Sequence, residues 1–192
     1  MEELSVLLSQ LSCGEDEQAE AALSQLAYWG PQAIEALQHR LSHPEAEVRW
    51  WAVRALAEMQ DERVPGLLVH ALADPDKGVR WCAGLALRKH PSLQAAGALL
   101  GMLADAEALT RRLAGDALAA IGAEAVPPLL EALQQGEQPA RVEAVRALAK
   151  IGDQRAIPAL FEALDDNSAL IEYWASEGLE KMGVGMVFYK PE

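Results

Sequence analysis

The sequence predicts an all-helical protein, a right-handed α-solenoid of six stacked helix hairpins, on three observations. Apolar residues recur at intervals of 30 or 31 residues, and within each interval they follow the spacing of amphipathic helices. Gly and Pro stand where those helices would end and begin. The 192-residue chain is 51% hydrophobic, mostly through Ala and Leu, which favours helices over strands. About twelve helices in a single domain, 1–192, are therefore expected.

One anchor residue marks the second helix of each repeat. Ala follows every anchor after four residues and Leu after eight, and offsets of 0, 4, 8 and 11 share one face of a helix. This pattern predicts a helix with a buried Ala and Leu stripe in each repeat. The anchors are Gln18, Val48, Val79, Thr110, Ala140 and Ile171.

The first helix of each repeat is indicated by Leu at seven and at eleven residues before every anchor. Gly just past the second helices suits left-handed caps, and Pro suits the first turn of the helices that follow. These residues are Gly30, Gly122, Gly152 and Gly183, and Pro31, Pro65, Pro127 and Pro158. The predicted hairpins are 1–30, 31–61, 62–92, 93–122, 123–152 and 153–183. We expect the tail, 184–192, to cap the last hairpin or to insert into a neighbouring molecule.

Charge and composition disfavour several classes of partner. The net charge of −13, without a dense Lys and Arg stripe, argues against nucleic acid. No stretch is expected to reach the roughly 20 apolar residues of a membrane span, so no membrane partner is expected. The first residues lack the basic region of a signal peptide, and we expect a cytoplasmic protein with reduced cysteines.

Two segments carry a resemblance to a known repeat. Residues 48–56, VRWWAVRAL, and residues 141–160, which include ALAKIGDQRAIPAL, resemble the phycobilisome lyase HEAT-like repeat, and the likeness extends over nearly the whole chain. The resemblance implies that the anchored helices line a concave face. It also implies a structural ladder between the arginines that follow the anchors and loop acids of neighbouring repeats. The arginines are Arg49, Arg80, Arg111 and Arg141, and the candidate acids are Asp74, Asp105, Asp153 and Asp166.

No catalytic, metal or cofactor site is predicted. The hydroxylases that share this repeat hold iron through His-Glu pairs, and none of the four histidines here is followed by Glu. The DNA glycosylases with similar repeats use a basic groove and a carboxylate. Asp116 projects from an anchored helix near Trp81, but the acidic net charge and the absence of a dense Lys and Arg stripe argue against duplex binding. Cys82 has no His on the same helix face to activate it, and we interpret it as a small residue at the edge of the core.

A binding groove is predicted from residues that the fold does not need. Offsets 2 and 6 point away from the core and offset 3 borders it, and four of the five tryptophans occupy offsets 2 and 3. An exposed apolar patch with a polar rim is typical of an interaction site. Packing between repeats explains Trp51 and Trp174 equally well. The predicted groove residues are Trp50, Trp51, Arg54, Trp81, Cys82, Leu85, Arg88, Arg112, Leu113, Tyr173 and Trp174.

These residues favour a non-catalytic adaptor or scaffold that holds a protein or peptide partner in an aromatic-rich concave groove. The alternative implied by the resemblance is a bilin lyase-type protein that handles a tetrapyrrole as one subunit of a heterodimer. In that case the indoles would stack on the chromophore and Arg54, Arg88 or Arg112 would pair with its propionates.

Overall fold

All regular secondary structure in the computed structural model, which describes residues 2–184, is helical. Twelve α-helices and three short 3₁₀ turns are found in this range, and no strand, which confirms the predicted fold class. The α-helices are α1 (Glu2–Gln10), α2 (Asp16–Tyr28), α3 (Pro31–Arg40), α4 (Ala46–Leu56), α5 (Val64–Ala71), α6 (Lys77–Lys89), α7 (Ala96–Met102), α8 (Ala108–Ile121), α9 (Val126–Gln135), α10 (Gln138–Ile151), α11 (Ile157–Ala163) and α12 (Ala169–Lys181). The predicted capping tail, beyond Val184, lies outside the described residues.

The helix ends follow the predicted use of Gly and Pro. All four predicted Gly caps have positive φ, from 52° at Gly30 to 82° at Gly122, a region where any other residue is strained. Proline occupies the first turn of α3, α5, α9 and α11. It fits there because the amide hydrogens of that turn have no partner within the helix.

The anchored stripe forms the core as predicted. The Ala at offset 4 and the Leu at offset 8 are at most 2% exposed in all six repeats. The Leu eleven residues before each anchor is also buried in every repeat. Both helices of each hairpin therefore contribute a continuous apolar face, whose burial is the main favourable term in folding.

A second stripe of small residues was missed by the sequence reasoning. Offset 7 holds Ala55, Ala86, Ala117, Ala147 and Gly178 in repeats two to six, and all five residues are buried. The contact is closest at Gly178 of α12, where an added Cβ would lie 2.9 Å from the Cβ and 3.0 Å from the Cα of Ala149 in α10. The backbones of these two helices are therefore in near-direct contact.

Helix contacts divide the chain into two compact units, Met1–Ala98 and Leu99–Glu192. In the first unit α4 packs against α2, α3 and α6, and α5 packs against α6. In the second unit α10 packs against α8, α9 and α12, and α11 packs against α12. Each unit thus contains both hairpin contacts and contacts between successive anchored helices. That all six hairpins form one domain stays a prediction.

One helical stretch within residues 2–184, Ala108–Gln135, is long and apolar enough to cross a membrane by length and composition alone. The expectation that no stretch reaches this length is therefore wrong. The stretch consists of α8 and α9, separated at Gly122, where φ is 82°. Both helices pack against α10, so burial in a helical core accounts for their apolar composition.

The arginines that follow the anchors of repeats two to four bind the loops that precede their own helices. Arg49 donates to the carbonyls of His43 and Pro44 at 2.8 and 3.0 Å, and to both carboxylate oxygens of Asp74 at 2.7 and 2.8 Å. Arg141 likewise pairs with Asp166. These two contacts join each arginine to the loop acid of the next repeat, as the resemblance implies.

The other predicted ladder residues have different partners. Arg80 and Arg111 each donate to two main-chain carbonyls of their preceding loops. Asp153 pairs with Arg155, two residues further on, so its assignment to the ladder is wrong. Arg155 is close to Asp153 in the chain and reaches its carboxylate without the ordering of a second loop, which favours this local pair.

The Arg49–Asp74 pair predicts a pH-dependent stability. Burial alone raises the pKa of Asp74, but hydrogen bonds from Arg49 and from the Asp76 amide more than offset it, and the pKa falls below 3.8. The charged pair therefore stabilises the fold above pH 3.8, and this contribution is lost as the pH falls through the lowered pKa. Asp74→Asn should cost about 1–3 kcal/mol at pH 7. Urea midpoints from about pH 7 to pH 2.5 should show this difference shrinking; a constant difference would contradict the ionic account.

The core stripe is tested by two leucines of α6. Leu87 is 1% exposed, and Leu87→Ala should lower the free energy of unfolding by about 2–5 kcal/mol because it leaves a cavity. Leu85 on the same helix is 45% exposed, and Leu85→Ala should cost less than about 1 kcal/mol. Chemical denaturation measures both, and equal losses would place the stripe on the wrong face.

The close approach of α10 and α12 is tested by a pair of Gly→Ala variants. Gly178→Ala should destabilise the protein by about 1–3 kcal/mol because its methyl group would overlap Ala149. An added Cβ at Gly101 of α7 meets no atom within 4 Å, so Gly101→Ala should stabilise by about 0.5–1 kcal/mol. Thermal melts of the two variants should shift in opposite directions, and a stabilising Gly178→Ala would refute the contact.

Candidate functional site

Six of the predicted binding residues line one groove on α4 and α6 of the first unit. This groove, called the tryptophan groove here, has a volume of about 460 Å³ and a mainly apolar lining. The two helices pack side by side, so their outward-facing side chains meet along the groove. The lining residues are Trp50, Arg54, Ala57, Gly78, Trp81, Cys82, Leu85, Ala86, Arg88 and Lys89.

The two indoles of the groove are half-buried, although their helical offset points away from the core. Trp50 packs edge-on against Trp51, with ring centroids 4.8 Å apart, and lies beside Gly78, where an added Cβ would be 4.0 Å from its Cδ1. Lys77 Nζ lies 5.3 Å from the centroid of the Trp81 ring, in a cation–π arrangement. These contacts hold both rings in position while part of each faces the groove.

Small residues supply the space between the indoles. Ala57 and Ala86 are 6% and 2% exposed, and Cys82 is 7% exposed. Burial raises the pKa of the Cys82 thiol to about 11, and the charge of Arg54 offsets this only in part. Because the thiolate is the reactive form, Cys82 contributes space and not nucleophilic chemistry. At the end of α6, His90 Nε2 lies 2.8 Å from the carbonyl oxygen of Ala57 and ties the two helices together.

The mouth of the groove is basic. Arg54, Arg88 and Lys89 are its charged lining residues, and none of the described residues that line it is acidic. Glu58, just outside, accepts from Arg54 at 2.5 Å and from Lys89 at 2.9 Å. These hydrogen bonds, that of Lys89 foremost and then that of Arg54, lower the pKa of Glu58 although burial opposes them.

Three of the predicted groove residues are buried. Trp51, Cys82 and Leu113 occupy offset 3, on the border of the apolar stripe, and are only 5%, 7% and 8% exposed, so Trp51 and Leu113 pack between helices and Cys82 lies at the edge of the core. Offset 3 lies about 60° from the anchor around the helix, which turns these side chains towards a neighbouring helix instead of towards solvent. Of the three, only Cys82 still reaches the tryptophan groove.

The remaining predicted residues lie in the second unit. Arg112 is exposed on α8. On α12, Tyr173 is 52% exposed, and its ring centroid lies 5.1 Å from that of the half-buried Trp174. Trp174 lines a separate, more polar depression with Lys150 and Glu177.

A buried charge network in the second unit was missed. Arg146 is 2% exposed, although it shares offset 6 with Arg54, and it donates to Glu143 at 2.7 Å and to Asp116 at 2.8 Å. Burial raises the pKa of Asp116, but the hydrogen bond from Lys150 and the charge of Arg146 outweigh it and lower the pKa. Asp116 is thus held by two cations as a structural group. The sequence feature that could have revealed this network is Glu143, which lies three residues before Arg146 and therefore on the same helix face.

Metal-binding clusters are absent from residues 2–184: no group of three or more His, Cys, Asp or Glu side chains is placed to hold an ion.

Sequence comparison identifies one family. The family model described as HEAT repeats matches residues 4–88, 34–119 and 96–180, which together span most of the chain. No curated protein matches the sequence.

Solved structures with a similar fold include natural and designed proteins. An archaeal HEAT-like repeats protein from Thermococcus onnurineus NA1 is 17% identical, with a TM-score of 0.67 over 93% of this chain and 80% of that one. The complex of CpcE and CpcF of phycocyanin lyase from Nostoc sp. PCC7120 gives 21% identity and a TM-score of 0.56, over 94% and 77%. A designed armadillo repeat protein in complex with the peptide (KR)4 gives 22% and 0.56, over 94% and 99%.

Proposed function

This chain belongs to the HEAT-repeat family, and we propose that it is a non-catalytic protein-binding module whose partner places a peptide segment or a helix in the tryptophan groove. Repeat proteins of this kind typically act as binding scaffolds, because stacked helices present an extended, preformed surface.

The observation that carries the proposal is the pair of half-buried indoles, Trp50 and Trp81, beside a gap lined by small residues. Aromatic anchors in such pockets dominate the energetics of many interfaces. Both rings are already held by intramolecular contacts, so little side-chain entropy would be lost on binding. The volume of about 460 Å³ suits one or two bulky apolar side chains of a partner.

The designed armadillo repeat protein in complex with (KR)4 is a case in which a similar fold is found with a peptide. It supports a peptide segment as the kind of partner. Its likeness to this chain concerns the fold, and the basic mouth of the tryptophan groove suits a peptide of different charge from (KR)4.

A tetrapyrrole is the second candidate ligand. Two indoles beside a gap, with Arg54 and Arg88 at its mouth, would suit a planar chromophore with propionate groups. The fold is also similar to the CpcE and CpcF complex of phycocyanin lyase. Binding of a bilin would appear as a change in its visible absorbance, which a peptide partner would not produce.

The proposal predicts that Trp50→Ala and Trp81→Ala abolish or strongly reduce capture of protein partners from native lysate. Truncation of an aromatic anchor at the centre of an interface typically costs 2 kcal/mol or more, about 30-fold in affinity. The measurement is a pull-down with immobilised protein, quantified by mass spectrometry, beside melting curves of each variant.

The matched control is Tyr28→Ala, because Tyr28 is 91% exposed in the same unit and lies outside the groove. It should retain every partner of the wild type. If both tryptophan variants remain folded and also retain every partner, the tryptophan groove is not the binding site.

A further inference from the structure

We propose that the partner segment is acidic, with a bulky apolar side chain between the indoles and a carboxylate bound by Arg88 at the mouth of the groove. This inference rests on the proposed function, because it takes the tryptophan groove as the binding site and adds the chemistry that the site selects.

The charge of the groove is opposite to that of the chain. The chain has a net charge of −13, yet within residues 2–184 the groove lining holds three basic residues and no acidic one. A local positive region on an acidic protein attracts anionic groups and repels cationic ones. The rest of the surface is acidic and does not exclude basic partners. Selection of an acidic segment would therefore depend on the residues that line the groove.

Two of the three basic side chains already have partners. Arg54 binds Glu58 and also lies 3.3 Å from Glu20, and Lys89 binds Glu58. The lysine position recurs in the array, since Lys150 and Lys181 occupy the same offset and also bind within the fold. Arg54 and Lys89 are therefore at least partly structural.

Arg88 differs from both. Its side chain is exposed, and among residues 2–184 it makes no hydrogen bond or ion pair. Ala occupies the same offset in four of the six repeats, at positions 27, 57, 119 and 149, so the repeat does not require a cation there. A guanidinium with all its donors available beside an apolar gap is suited to a bidentate carboxylate.

The arrangement at Glu58 shows what this mouth accepts. A single carboxylate there bridges Arg54 and Lys89. Removing that carboxylate would make the mouth more positive and release donors from both cations, which should favour an incoming acid.

The test uses three fluorescein-labelled hexapeptides with the same Leu-Phe core, flanked on both sides by two Glu, two Gln or two Lys residues. Fluorescence anisotropy measures their affinity for the full chain. We expect the Glu peptide to bind at least tenfold more tightly than the Gln peptide, and the Lys peptide most weakly. Raising the salt from about 0.05 M to 0.5 M should remove most of the difference, because salt screens exposed charges.

Two variants and one control variant test which residues cause the preference for the Glu peptide. Arg88→Gln should bring the Glu peptide to within about threefold of the Gln peptide and leave the Gln peptide unchanged, while Arg63→Gln, outside the groove in the same unit, should change neither. Glu58→Gln should tighten binding of the Glu peptide several-fold, a gain that misfolding cannot produce. Unchanged or weaker binding by Glu58→Gln, or an intact preference in Arg88→Gln, overturns the proposal.

Different outcomes overturn the acidic partner segment and the proposed function. If the Glu and Gln peptides bind equally and Trp81→Ala abolishes both, the groove binds peptides without preference for acids, and only the acidic partner is wrong. If no peptide binds but the tryptophan variants still lose their protein partners, the acidic segment is again overturned and the proposed function stands. If a bilin binds, no peptide binds and the tryptophan variants keep every protein partner of the wild type, both are wrong.

Discussion

Close contact between successive anchored helices, through Ala and Gly, is the constraint on which the rest of the structure depends. Helices can approach this closely only where side chains are small, as at Gly178 against Ala149, where the two backbones nearly touch. The same spacing brings outward residues of adjacent helices together. Trp50 and Trp81 hold the same offset on α4 and α6, so the period that builds the core also brings both indoles to the lining of one groove.

Arginine has two different roles in this fold. Arg49 and Arg146 are buried and surrounded by carboxylates and carbonyl oxygens, which is the condition under which a buried guanidinium can be tolerated. Arg88 has neither burial nor a partner in the described part of the chain. Buried arginines thus have their partners within the fold, whereas Arg88 at the groove remains exposed to solvent.

The sequence predicted the features that follow from strict local geometry. A Gly cap such as Gly152 requires a positive φ, and a stripe with helical spacing can be buried on only one side, so both were recognisable without coordinates. The helical offset gives the direction of a side chain but not what lies opposite it. The offset of Trp51 therefore left its exposure open, and the structure buries it, whereas the offset of Arg146 points outward although Asp116 and Glu143 enclose it. Those outcomes depend on pairs of residues in different repeats or on different turns, which a single offset does not encode.

Nearly all helix packing in each unit joins elements that are adjacent or next-but-one along the chain, such as α3 with α4 and α4 with α6. Chains with such low contact order fold quickly, because short loops are closed before long ones. Domains also tend to fold during synthesis from the N-terminal side. Every residue of the tryptophan groove lies between positions 50 and 89, before the second unit begins at Leu99. The ribosome therefore synthesises every residue that lines the tryptophan groove before the first residue of the second unit.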